Sequence, residues 1–107
     1  MKQHKLNLRS VKYSEKTIEE NINLFNQYDW DCLTTNQNLS ESFIEKHMLQ
    51  MDIITWNHIS KYQNLSEEFI KKHIDKIDFE RIMLNAKISK KLKNRIKKEI
   101  ETLREII

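Results

Sequence analysis

Apolar residues in this chain recur three and four positions apart, the spacing that lines side chains along one face of an α-helix. Phe43, Ile44, His47, Met48 and Met51 share one such face, and Phe69, Ile70, His73, Ile74 and Ile77 share another. Toward the C-terminus, Leu92, Ile96, Ile100, Leu103 and Ile107 keep the same rhythm. Ser14, Ser40, Ser66 and Ser89 precede the stripes, and each is a good helix N-cap. An apolar residue just before the cap (Tyr13, Leu39, Leu65) and another four residues beyond it (Ile18, Ile44, Ile70) form a hydrophobic staple, which fixes the angle at which the chain enters the helix.

The stripes are copies of one another. Asp29–Asp52 laid over Thr55–Asp78, an offset of 26, gives eleven identities in twenty-four positions. Trp30 falls on Trp56, Gln37-Asn38-Leu39-Ser40-Glu41 on Gln63-Asn64-Leu65-Ser66-Glu67, and Phe43-Ile44 on Phe69-Ile70. Fainter echoes lie upstream at Tyr13-Ser14-Glu15 and downstream at Asp78-Phe79, Ile82 and Ile88-Ser89. Asp29 precedes Ser40 by the same stretch of chain as Asp78 precedes Ser89, but the stretch from Asp52 to Ser66 is longer. The middle copy therefore reads as carrying three extra residues ahead of Trp56. Each copy predicts a helical hairpin, with Asp29 or Asp78 capping a short first helix and the serine capping the second. Asn38 and Asn64 stand at the turn, where a left-handed conformation suits asparagine.

A single hairpin cannot bury these stripes alone, whereas stacked neighbours can. The predicted fold is all-α: a short α-solenoid of stacked helix-turn-helix hairpins with a longer basic C-terminal helix. It forms one domain over 1–107, with units near 13–28 (a half unit), 29–51, 52–77 and 78–107. The repeat positions expected to be structural are Trp30, Leu39, Ser40, Phe43, Ile44, Trp56, Leu65, Ser66, Phe69 and Ile70. Residues 1–12 read either as the end of a degenerate first helix or as extended chain.

Composition narrows the chemistry. There is no glycine and no proline in 107 residues. Phosphate loops and dinucleotide fingerprints need glycine, and so does the turn beneath a serine nucleophile elbow, so all three are excluded. A lone Cys32 allows no internal disulfide and no Cys-rich zinc site. Residues 1–10 lack the apolar core of a secretion signal, and no segment approaches the ~18 apolar residues of a membrane span. A cytoplasmic protein without membrane contact is expected.

The string Trp56-x-x-Ile59-Ser60-x-x-Gln63-x-Leu65-Ser66-Glu67-x-Phe69-Ile70 resembles a short helical tandem repeat of tailed-phage and large-DNA-virus proteins. The resemblance spans about Tyr13 to Ser89 and is strongest in the central copy. It implies an α-helical array of viral or mobile-element origin, acting in the host cell if viral, and implies no reaction.

Candidate chemistry is sparse. His47 and His73 occupy one repeat slot, with Cys32 and His58 at matching positions in the other helix of their units, but the spacings fit no zinc template. A polar or packing role is expected for both histidines, and a core position for the two tryptophans. Asp75 with Asp78, and Glu67 with Glu68, sit where caps and solvated first turns account for them. No enzymatic activity, metal or cofactor is expected.

Charge is more informative than its net of +3. Residues 1–12 carry Lys2, Lys5, Arg9 and Lys12 and no acid; residues 13–86 hold 7 basic and 13 acidic groups; residues 87–107 hold 8 basic and 3 acidic. Lys87, Lys90, Lys91, Arg95, Lys97 and Lys98 are the candidate contacts to a partner or a nucleic acid, with Lys87, Lys91, Arg95 and Lys98, at spacings of four, four and three, expected on one basic face of the C-terminal helix. The same lysines also suit a terminal repeat that needs a polar outer face. Taken together, the residues predict a non-enzymatic binding module with a protein partner; the resemblance to the viral repeat, with the small size, implies a phage inhibitor of a host defence complex such as a CRISPR nuclease. Its rivals are a nucleic-acid binder using the C-terminal helix and a structural homo-oligomer; the oligomeric state is left open.

Overall fold

A computed structural model describes residues 5–106, with side chains to 102; Lys2, His4 and the side chains of Leu103, Arg104, Glu105 and Ile107 lie outside the described residues. Among the described residues the chain is all-helical. The helices are α1 (Glu15–Asn21), α2 (Gln27–Asn36), α3 (Glu41–Lys46), α4 (Ile53–Tyr62), α5 (Glu67–Lys72), α6 (Phe79–Met83) and α7 (Lys90–Ile106), with 3-10 turns at Ile22–Leu24 and Met48–Gln50. Among the described residues no helix is long and apolar enough to cross a membrane.

Caps set where the helices begin. Ser14, Ser40, Ser66 and Ser89 accept from the backbone N–H of Thr17, Phe43, Phe69 and Leu92 at 3.1–3.2 Å. The other series begins at Asn26, Asp52 and Asp78, whose side chains accept from Asp29, Thr55 and Arg81 N–H. Asp29 is therefore not the cap of its helix. It closes a capping box, with its carboxylate accepting from the Asn26 N–H at 3.0 Å while Asn26 accepts from Asp29 at 2.9 Å.

These caps also relocate the three-residue irregularity. Asn26, Asp52 and Asp78 are evenly spaced, and α2 and α4 both have 10 residues, whereas α6 has 5. The last copy is short; the middle one is not long. Asp78 serves as both the cap and the residue preceding the aromatic, so α6 lacks its first turn.

The second helices end sooner than their apolar stripes suggest. α3 stops at Lys46 and α5 at Lys72, with His47 and His73 as C-caps. Met48 and Met51 are half-buried beyond α3, while Ile74 is exposed. Each histidine ring lies against two aromatic rings and meets a glutamate of the preceding copy.

The turns between paired helices use no left-handed backbone, since no described residue has positive φ. Gln37 and Gln63 leave their helices in extended conformation, at φ −99°, ψ 151° and φ −95°, ψ 149°. Asn38 and Asn64 are thus not required for the turn.

α2 packs on α4, α4 on α6, and α6 on α7. Leu33, Ile59 and Ile82 from the first helices and Ile18, Ile44 and Ile70 from the second are completely buried. A ladder of side-chain amides joins consecutive copies. Gln63 Nε2 donates to the carbonyls of Thr34 and Gln37 at 2.8 and 2.7 Å, and its Oε1 accepts from the Leu39 N–H at 3.0 Å. Gln37 does the same to Leu8, Val11 and Tyr13, and Asn85 donates to Ser60 and Gln63. The Thr34, Gln37, Ser60 and Gln63 carbonyls so engaged are those that the C-terminal ends of α2 and α4 leave without an internal partner. Leu8 and Val11 stand one repeat length before Thr34 and Gln37, so the N-terminal segment fills the place of a preceding first helix with a short turn.

Candidate functional site

The ten repeat positions behave as a scaffold. Trp30, Leu39, Phe43, Ile44, Trp56, Leu65, Phe69 and Ile70 are buried, while Ser40 and Ser66 are exposed caps. Trp30 meets Phe25 edge-on at 5.7 Å and lies 5.9 Å from the His47 ring; Trp56 stacks on Phe69 at 6.3 Å and lies 5.8 Å from His73. His47 Nε2 is 2.6 Å from Glu19, and His73 Nε2 is 2.7 Å from Glu45. Lys46 and Lys72 approach the same two carboxylates at 3.4 and 2.8 Å. Burial pushes the Glu19 carboxyl up, but His47 and Lys46 outweigh it, so its pKa ends below the ordinary value. Lys72, then His73, hold Glu45 low. Both histidines are thus pinned between copies. Among the described residues no three His, Cys, Asp or Glu side chains are grouped to hold a metal.

The six basic candidates separate. Lys87 precedes α7 and so is not on its face; its Nζ donates to Asn38 Oδ1 at 3.1 Å. Arg95 turns toward α5 and pairs with Glu67 at 2.8 Å. Lys90, Lys91, Lys97 and Lys98 remain exposed: Lys91 and Lys98 on the side of α7 opposite the buried Ile96 and Ile100, Lys90 and Lys97 on its flank.

Two open grooves flank the turns. The first, about 700 Å³, is lined by Asn38, Leu39, Ser40, Glu41, Gln63, Asn64 and Lys87. Much of its polar chemistry is already engaged: Glu41 accepts from the Ser66 N–H and hydroxyl at 2.6 and 3.1 Å, and Lys87 is held by Asn38.

The second groove, about 580 Å³, runs beside the N-terminal turn of α4, between Met51, Asp52, Ile53, Trp56 and Asn57 on one side and Asp75, Lys76, Ile77 and Asp78 on the other. Two departures from the repeat open it. Gln27 in the first copy reaches across its junction, donating to Thr55 Oγ1 at 2.9 Å and Asp52 at 3.4 Å. Ile53 occupies the Gln27 slot and has no amide with which to do so. The missing first turn of α6 removes the backbone that would stand opposite.

Beside this groove lies an apolar edge that sequence patterning missed. Leu49 is 99% exposed, Ile53 79% and Ile54 55%. For two of them the slots elsewhere are polar: Asn23 and Asp75 correspond to Leu49, and Gln27 to Ile53, whereas Ile54 corresponds to Tyr28, itself exposed. Helical periodicity assigned no role to these residues; comparing one slot across copies singles them out. No family model matches the chain, and neither do characterised proteins or solved structures.

Proposed function

We propose that this protein is a short helical-repeat solenoid that works by binding another protein, with the edge around Leu49, Ile53 and Ile54 as its contact surface. The observation that carries this reading is the surplus apolar character at Leu49 and Ile53. The other copies fold with Asn23, Asp75 and Gln27 in those slots, so stacking does not demand a hydrophobe there. Three large side chains left in water at one chain reversal are the composition expected of an interface core. The resemblance to viral repeats supports the narrower proposal of a phage protein that acts in the host cytoplasm by occupying a defence complex such as a CRISPR nuclease.

The test is affinity capture from host lysate with the wild-type protein and with a Leu49→Glu, Ile53→Glu double variant. A stoichiometric partner held by the first and lost by the second supports the reading, provided circular dichroism shows both folded. Equal capture by both, or no partner, ends it.

The outer face of α7 supports a second reading, nucleic-acid binding. Lys90, Lys91, Lys97 and Lys98 would meet phosphates, with no aromatic among the described residues beside them for base stacking. In that case affinity for duplex DNA or RNA falls steeply with salt, and Lys91→Glu with Lys98→Glu abolishes it.

A further inference from the structure

We infer that the groove beside α4 takes a cationic amphipathic helix, its apolar side chains seated on Trp56, Ile77 and Met51 and its lysines or arginines facing Asp52 and Asp75. This deepens the protein-binding reading above and rests on it.

The floor and the rim argue for different parts of the occupant. Met51 and Ile77 are half-buried, Trp56 lies beneath them and Ile53 forms an exposed wall. At about 580 Å³ the space lies within the ~300–1,000 Å³ range of sites that enclose bulky ligand groups. Apolar anchors spaced three or four residues apart on a helix suit such a slot, and Leu49 and Ile54, in the same stretch of chain as Met51 and Ile53, are exposed as well.

The rim is acidic. The lining holds three carboxylates, Asp52, Asp75 and Asp78, against one lysine, Lys76. Lys76 is taken by Asp75 at 3.1 Å and Arg81 by Asp78. Asp52 has no cation within ion-pair reach among the described residues. Its carboxylate is held low by the Thr55 N–H and hydroxyl, so it stays charged. The segment 13–86, which supplies every residue of the lining, carries 13 acidic groups against 7 basic ones. An anionic or purely apolar helix would leave the Asp52 carboxylate without a cation and add nothing to offset the acidic excess of the rim.

The experiment is an NMR titration of the full chain with two synthetic helical peptides, one of leucine and lysine and the other with glutamate in place of lysine. The leucine–lysine helix is expected to move the resonances of Ile53, Trp56 and Ile77 and to bind more weakly as salt rises. Asp52→Asn with Asp75→Asn should weaken it about tenfold. Asparagine caps the equivalent helix at Asn26, so this variant keeps the start of α4.

Equal binding of both peptides in the groove, perturbation confined to other surfaces, or no binding overturns the inference. If the leucine–lysine helix is refused while Leu49→Glu, Ile53→Glu still loses a lysate partner, the cationic occupant falls and the protein-binding reading stands. If the double variant keeps its partner, the wider reading falls too.

Discussion

The side-chain amide of Gln63 closes the end of the preceding copy by donating to the backbone carbonyl of Gln37 at 2.7 Å. Gln37 is itself the residue that does this work one copy earlier. A buried polar group with three partners is held there by what its loss would leave behind.

Gln63→Ala should therefore be among the most damaging single changes. It strands the Thr34 and Gln37 carbonyls and the Leu39 N–H in a buried site. With each orphan costing about 1–3 kcal/mol and partial relaxation by water, a loss of about 3 kcal/mol is expected in urea unfolding. A loss below about 1 kcal/mol would show that water replaces the ladder freely.

Ser66→Ala removes the acceptor for the Phe69 N–H and one contact to Glu41. About 1 kcal/mol is expected for the lost cap. Phe69→Ala, which opens a cavity beneath Trp56 and His73, should cost roughly 3–5 kcal/mol. Thermal denaturation of the two variants side by side checks the ranking.

Acid should loosen the junctions between copies. The folded-state pKa values of Glu19 and Glu45 lie below the ordinary carboxylate value of 4.5. Lowered values mean that their stabilisation is complete above about pH 4.5 and drains away as pH falls through the folded values. Glu19→Gln with Glu45→Gln should flatten the fall in melting temperature below that pH. An unchanged profile would place the acid sensitivity elsewhere.

Ile53→Gln puts back the residue type of the Gln27 slot. Because Ile53 is 79% exposed, stability should change by no more than about 0.5 kcal/mol, and any protein binding through this edge should weaken. A marked loss of stability would mean that Ile53 is part of the core after all.

Much of the helical pattern was legible because caps and staples are local devices. Ser40 and Ser66 announce their helices through their own side chains, and Leu39 with Ile44 needs no distant information. The extended turns after Gln37 and Gln63 were not legible, because asparagine beside glutamine reads as a left-handed turn until a preceding copy supplies the carbonyls that glutamine binds. Lys87 was misplaced on α7 for a similar reason: a spacing of four predicts a shared face only if the helix has already begun. The exposure of Leu49 and Ile53 was hidden because hydrophobic patterning presumes burial and cannot see an uncovered edge.

The amide ladder links equivalent positions of neighbouring copies, and its partners are backbone carbonyls rather than particular side chains. Growth by gene duplication is consequently quantised: an added segment of one full repeat brings its own glutamine and presents its own carbonyls, so old and new seams close alike. An insertion of any other length between two caps strands one rung, except at the C-terminal end, where the shortened α6 and Asn85 already tolerate a different stride.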